Sequence, residues 1–111
     1  MKKDDSVYTD HINDALNQIT EYIKGHDLDS FLQSRQVQDA VIRQLEIIGE
    51  ATKKISPEIK EKNTDIPWPD MAGMRDKLIH DYIDVDLWIV WETAKNDVPV
   101  LQGLLRKVKL K

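Results

Sequence analysis

The C-terminal part of the chain carries an uninterrupted helical repeat. Apolar side chains recur there in alternating steps of four and three residues, at Leu87, Trp91, Ala94, Val98, Leu101, Leu105 and Val108. This period places them on one face of an α-helix, whereas a strand would alternate at every second residue. Pro99 lies off the stripe. We therefore predict one last helix that begins near Asp84 or Asp86 and is kinked at Pro99.

Two earlier segments show the same period, over residues 8–23 and residues 37–55. Residues of the types that begin and end helices flank both segments. The residues that we predict as the ends of these helices are Ser6 and Gly25 for the first, and Asp29 or Ser30 for the start of the second.

Residues 60–69 are the one clear break in the helical pattern. The prolines of Pro67-Trp68-Pro69 remove backbone donors and favour extended neighbours. Pro69 and Asp70 then suit the first turn of a new helix, which should end near Tyr82 or Ile83. Just before the break, Ser56-Pro57 predicts a short helical turn, because proline suits the first helical position.

No segment alternates in the manner of a strand. The predicted fold is therefore all-α: a four-helix bundle with an additional short helix, in a single domain over residues 1–111. Gly49 and Gly73 fall inside predicted helices, where each costs roughly 1 kcal/mol relative to alanine. We interpret them as marking a close crossing of the second helix and the helix after the break, in preference to a tolerated cost.

The composition restricts the classes of function. A chain without cysteine forms neither disulfides nor thiolate metal sites, which favours a reducing, cytoplasmic location. Neither a signal peptide nor a membrane-spanning stretch is predicted. The net charge is −4 and acidic residues occur throughout, so bulk charge does not predict binding to nucleic acid. Chemistry on a nucleic acid would need a local site.

Residues 74–82 contain the pattern R-x4-H-x-Y, formed by Arg75, His80 and Tyr82. The guanidinium of arginine fits phosphate oxygens, and histidine accepts and donates protons near neutral pH. Asp76 lies four residues before His80, where it can contact and orient the imidazole. These groups form a minimal set for cleaving a phosphodiester. A solvated helix face with a weak Asp76–His80 pair accounts for them equally well.

The spacing of the motif sets a geometric problem. On a regular helix Arg75 and His80 are about 140° apart, so they do not face one phosphate together, whereas Tyr82 shares a face with Arg75. Either the helix distorts near His80, or a second copy of the chain completes the site. A two-fold homodimer would bring two arginines and two imidazoles together across its axis.

Other aromatic and imidazole side chains have simpler interpretations. Trp68, Trp88 and Trp91 are expected to be core or interface aromatics rather than platforms for base stacking. His11 and His26 stand without partners at metal-ligand spacing, so no metal site is predicted.

Two charged regions are interpreted as surface. Glu46 and Glu50 lie one helical turn apart at a solvated or interface edge. The cations with which we predict them to pair are Arg43, Lys53 and Lys54. Residues 106–111 place favourable positive charge at a helix C-terminus, and a weak RNA contact is the minor interpretation.

Three blocks of sequence carry a family resemblance. They are residues 39–51 (DAVIRQLEIIGEA), residues 66–68 (IPW) and residues 73–82 (GMRDKLIHDY). In this order and spacing they resemble the HepT-like (DUF86) branch of the HEPN family, over most of the chain. Many members have asparagine after the motif arginine, where this chain has Asp76.

The resemblance implies an all-α HEPN bundle and a metal-independent endoribonuclease without a cofactor. It implies the toxin of a type VII HEPN/MNT toxin–antitoxin system, acting on RNA as a homodimer whose composite site takes Arg75 and His80 from both protomers. Assembly beyond the dimer stays open. It also implies a partner antitoxin, a minimal (MntA-like) nucleotidyltransferase that uses ATP and Mg²⁺ to transfer AMP onto Tyr82.

The chemistry of the motif residues supplies a mechanism for cleaving RNA. It does not apply to DNA, which lacks the 2′-OH. His80 of one protomer would take the proton from a ribose 2′-OH, which attacks the adjacent phosphorus. Arg75 would hold the non-bridging oxygens, and the second His80 would protonate the leaving 5′ oxygen. The alternative is a non-catalytic helical module that docks a nucleotidyltransferase through Arg75 and Tyr82.

Overall fold

A computed structural model describes residues 4–78 and 85–111. Within these residues every regular element is helical, which confirms the predicted all-α class. The elements are α1 (Asp5–Ile23), α2 (Leu28–Gln33), α3 (Arg35–Lys53), α4 (Pro57–Lys62), α5 (Trp68–Ala72), α6 (Met74–Leu78), α7 (Leu87–Glu92), a π-helical turn (Thr93–Asp97) and α8 (Val98–Leu105). No helix in the described ranges combines the length and the apolarity that crossing a bilayer requires.

The predicted apolar stripes become the core. α1 packs along α3 and α8, and α3 also contacts α5, α6 and α7. Fully enclosed side chains come from five of the helices: Ile12, Leu16, Ile19, Phe31, Val41, Leu45, Ile48, Val90 and Val98. On α1 and α3 they recur every three or four residues, so each helix turns one face inward. α3 lies at the centre of these contacts and links the framework to α5 and α6.

The first helix differs from its prediction at the start. Its N-cap is Asp4, whose Oδ1 accepts a hydrogen bond from the backbone N–H of Ser6 at 3.0 Å. The predicted cap, Ser6, therefore lies inside α1. Gly25 follows the helix with a φ of 80°, a left-handed conformation that glycine adopts without steric cost. The predicted stop is confirmed.

The second predicted helix is divided in two. Asp27 caps α2 through a capping box with Ser30, and Ser34 caps α3 by accepting from the N–H of Val37 at 3.3 Å. The prediction of a cap at Asp29 or Ser30 was wrong, because the chain leaves the helix at Ser34, where φ is −111° and ψ is 93°. Further along, Ser56 caps α4 and Pro57 takes its first position, as predicted.

α7, the π-helical turn and α8 follow one another without a loop. Asp86 caps the first of them, as predicted. The ring of Pro99 would clash with the carbonyl of Lys95, four residues earlier, in a regular α-helix. The wider π turn ends at Asp97, two residues before Pro99, and α8 runs through the proline. The kink at Pro99 stays a prediction. α8 ends at Leu105, and Val108 packs against the core from beyond the helix.

The two glycines have different functions. A Cβ on Gly49 would lie 3.2 Å from the carbonyl oxygen of Ala72, so the close approach of α3 to α5 is confirmed there. Gly73 is the C-cap of α5, where the one atom of the described residues that a Cβ would meet is the oxygen of Pro69, at 3.5 Å. The close crossing predicted at Gly73 was wrong. Gly73 instead divides the predicted motif helix into α5 and α6, because glycine is a weak helix former.

Candidate functional site

Arg75 lies near the start of α6 and is tethered to α3. Its Nε–H donates a hydrogen bond to Oε2 of Glu46 at 3.1 Å, which makes this contact an ion pair. The side chain of Arg75 is 51% exposed and that of Glu46 is 32% exposed. The guanidinium is therefore held at the protein surface, open to a ligand from solvent.

The close approach at Gly49 explains how Glu46 and Arg75 meet across 29 residues of sequence. Glu46 lies three residues before Gly49 on α3, and Arg75 lies three residues after Ala72. Gly49 meets the carbonyl of Ala72, and Glu46 meets Arg75, so the two segments run past each other in opposite directions. The turn of α3 that precedes Gly49 therefore lies beside the start of α6, where the side chain of Glu46 contacts that of Arg75.

Sequence reasoning missed the partner of Glu46. We predicted pairing with Arg43, Lys53 or Lys54, and the structure shows pairing with Arg75. Glu50 does form a predicted pair, with Nζ of Lys53 at 3.7 Å. A signal that could have drawn attention to Glu46 is its position inside residues 39–51, the first block of the family resemblance.

The rest of the motif is only partly described. Asp76 lies on α6 and is exposed to solvent. His80 and Tyr82 lie outside the described residues. The separation of Arg75 from His80, the face shared with Tyr82 and the Asp76–His80 contact therefore stay predictions.

The three tryptophans divide into two groups. Trp68 is buried and its indole N–H donates to the carbonyl oxygen of Asn63 at 3.0 Å. Trp91 is buried with its ring centroid 5.2 Å from that of Phe31. Their assignment to the core is confirmed. Trp88 is 57% exposed, so it remains available for an interface or for stacking.

The two histidines in the described ranges have local partners. The ring of His11 lies edge-on to Tyr8 with centroids 6.4 Å apart, and Nδ1 of His26 is 2.9 Å from Oγ of Ser30. Over residues 4–78 and 85–111, no three histidine, aspartate or glutamate side chains gather in a way that could hold a metal ion.

The basic C-terminal residues fold back on the core. The N–H of Lys109 donates to Oδ1 of Asn63 at 2.7 Å, and Nδ2 of Asn63 donates to the carbonyl oxygen of Lys109 at 2.8 Å. Helix-terminal charge, which we predicted for residues 106–111, therefore applies to Arg106 and Lys107, directly after α8.

Comparison with known proteins gives one consistent result. The family model described as Ribonuclease HepT-like matches residues 12–108. The chain is 43% identical over 109 residues to "Probable ribonuclease HepT" of Thermococcus cleftensis, with 98% of this chain and 99% of that protein covered. It is 45% identical over 108 residues to "Gamma-glutamylcyclotransferase and putative RNase" of Methanocaldococcus jannaschii. That match includes 97% of this chain but only 49% of the longer relative, so the chain spans about half of that protein's length. No solved structure matches the chain.

Proposed function

Because the chain belongs to the Ribonuclease HepT-like family, we propose that it is a metal-independent endoribonuclease, the toxin of a type VII HEPN/MNT toxin–antitoxin system in the cytoplasm. The observation that carries the proposal is the state of Arg75. Its guanidinium is permanently charged, half exposed and tethered in place, within the same short motif as His80. Such a group suits the negative charge that develops on a phosphate during cleavage.

The proposed reaction is an attack within the RNA strand. His80 of one protomer removes the proton of the ribose 2′-OH, and the oxygen attacks the adjacent phosphorus. Arg75 binds the non-bridging oxygens as their charge rises, and His80 of the second protomer donates a proton to the departing 5′ oxygen. The products are a 2′,3′-cyclic phosphate and a 5′-OH. DNA has no 2′-OH and is not cut.

Cleavage of RNA by the purified protein tests this function. His80→Ala should lower the cleavage rate on the order of 10²–10⁴-fold, the usual contribution of a positioned acid or base. Arg75→Ala should lower it on the order of 10²–10³-fold, the usual loss when a donor to the developing negative charge is removed. Two exposed residues of the same types supply controls: Arg35→Ala, which breaks a pair with Asp39 at 3.7 Å, and His11→Ala should cleave normally. Cleavage should persist in excess EDTA. Equal cleavage by His80→Ala, or loss of activity in EDTA, would contradict the proposal.

The active unit is proposed to be a homodimer with a composite site. A straight helix would separate Arg75 from His80 by about 140°, so one chain would not direct both at one phosphate. A heterodimer of Arg75→Ala and His80→Ala chains keeps one Arg75 and one His80, on different chains. Mixing the two inactive chains should therefore restore only the fraction of the activity that a single imidazole supports. A protein that is fully active while monomeric at the assay concentration would contradict the shared site.

Tyr82 is the proposed point of control. A tyrosine hydroxyl is a weak nucleophile at neutral pH, so transfer of AMP onto it needs a nucleotidyltransferase antitoxin with ATP and Mg²⁺. The added phosphate would compete with RNA for the guanidinium of Arg75. Mass spectrometry after co-expression with the antitoxin should find AMP on Tyr82 and none on Tyr82→Phe. Silencing of the toxin without that adduct would show the assignment to be wrong.

A non-catalytic docking module is the second candidate, and the exposed Trp88 favours it, since an aromatic at 57% exposure suits a protein interface. Tight binding of a nucleotidyltransferase by a protein that cleaves no RNA would select this function. Loss of that binding in Trp88→Ala would assign Trp88 to the interface.

A further inference from the structure

We propose that Glu46 is a positioning residue for the ribonuclease reaction, holding the guanidinium of Arg75 through Nε so that its outer edge is presented to the scissile phosphate. The inference rests on the proposed function and extends it to a residue on another helix. Glu46 lies on α3, 29 residues away from Arg75 in the sequence and outside the R-x4-H-x-Y motif.

The atoms in contact define this function. The bond of 3.1 Å runs from Nε of Arg75 to Oε2 of Glu46. A guanidinium has five N–H donors in one plane, and a bond to Nε restrains that plane while it leaves the Nη1–Nη2 edge for a second anion. The two N–H groups of that edge can bind two phosphate oxygens side by side. An arginine restrained in this way loses less rotational freedom when it binds the phosphate.

The exposure of the Arg75–Glu46 pair indicates that the pair orients the guanidinium rather than stabilises the fold. With side chains 51% and 32% exposed, Arg75 and Glu46 interact through solvent-screened charge, and such pairs contribute little to the free energy of unfolding. The separation of α3 and α5 is already set by the packed contact of Gly49 with the carbonyl of Ala72. Removal of the Glu46 carboxylate should therefore leave the fold intact and release the guanidinium.

The negative charge of Glu46 determines which kinetic constant should change when the side chain is removed. A carboxylate beside a phosphate-binding arginine repels RNA, so its removal should not weaken substrate binding. If Glu46 orients Arg75, turnover should fall when the carboxylate is removed. A fall in kcat without a rise in KM therefore identifies a loss of orientation of Arg75. A substitution that only weakened the attraction between the protein and RNA would raise KM instead.

Glu46→Ala should lower kcat for RNA cleavage by up to roughly 10²-fold, the loss that a 1 Å misplacement of a catalytic group can cause, with KM equal or lower. Glu46→Gln keeps an oxygen that can accept from Nε and should recover most of that loss. Glu50→Ala is the matched control, since Glu50 lies one turn further along α3 and pairs with Lys53 at 3.7 Å. It should cleave normally. An unchanged kcat in Glu46→Ala, or an equal loss in Glu50→Ala, would overturn the inference.

A measurement on the free protein separates this inference from the proposed function. The Nε–H resonance of Arg75, assigned in the ¹⁵N spectrum with Arg75→Lys, should move and exchange faster with water in Glu46→Ala and stay in place in Glu50→Ala. A resonance that does not respond to Glu46→Ala would overturn the tether whether or not RNA is cut. A responsive resonance in a protein that cuts no RNA would refute the ribonuclease function and, with it, positioning for cleavage.

Discussion

Two of the contacts between α3 and the segment of α5 and α6 differ in burial. Gly49 is buried and faces the carbonyl of Ala72, where a Cβ would lie at 3.2 Å. Glu46 and Arg75, one helical turn away, form a hydrogen bond of 3.1 Å between partly exposed side chains. The packed contact fixes the distance between the segments, whereas the exposed one fixes the direction of a charged group. Stability and chemistry can therefore be changed separately at neighbouring positions of one helix.

The largest effect on stability should come from the buried face of α3. Leu45 is fully buried beside Glu46 in the sequence, and Leu45→Ala should lower the free energy of unfolding by about 2–5 kcal/mol, through lost burial and a cavity. Leu32→Ala, at a leucine that is 43% exposed, is the control and should change it by no more than about 0.5 kcal/mol. Urea denaturation measures both. Equal losses of unfolding free energy in the two variants would show that burial does not determine how much each leucine stabilises the fold.

A smaller loss should follow from crowding the packed contact. Gly49→Ala puts a methyl group 3.2 Å from the carbonyl oxygen of Ala72. A Cβ on Gly103 in α8 would meet no atom of residues 4–78 or 85–111 within 4 Å. Both substitutions gain helix propensity, so their difference isolates the crowding. Gly49→Ala should be less stable than Gly103→Ala by roughly 1–3 kcal/mol, measured by denaturation. Equal stabilities of the two variants would show that the approach of α3 to α5 does not require glycine at position 49.

The exposed contact should have a still smaller effect. Arg75→Ala removes the pair with Glu46 and should change the free energy of unfolding by less than about 1 kcal/mol. Its loss of RNA cleavage would then be a chemical effect. A destabilisation as large as that of Leu45→Ala would instead make Arg75 part of the structural framework.

The smallest effect concerns another exposed carboxylate, remote in sequence from the motif. The backbone N–H of Ser30 donates to Asp27 and holds the pKa of that carboxyl below its ordinary value of 3.8. A lowered pKa in the folded state means that the contribution to stability is present above pH 3.8 and is lost as the pH falls through the folded value. NMR titration should give a pKa for Asp27 below 3.8, and one at or above it would refute the cap. In Ser30→Ala the backbone donor remains, so the lowering should persist in part.

Local signals were sufficient for the helices and for several of their ends. Ser56, Gly25 and Asp86 act as predicted, because a cap depends on the few residues around it. The caps at Asp4, Asp27 and Ser34 were missed. Each of these has other polar residues within a few positions, and the path of the backbone decides which one bonds to the free N–H groups.

By itself the sequence determined the all-α class, the faces of the long helices that turn inward, and the presence of Arg75 in a motif suited to phosphate. Periodicity and capping act over one or two turns, so a single sequence records them. Only the tertiary structure decided that Glu46 meets Arg75, that Gly49 rather than Gly73 makes the close approach, and that Trp88 stays exposed. Each of these depends on which helix packs against which, and no local pattern encodes a contact made across tens of residues.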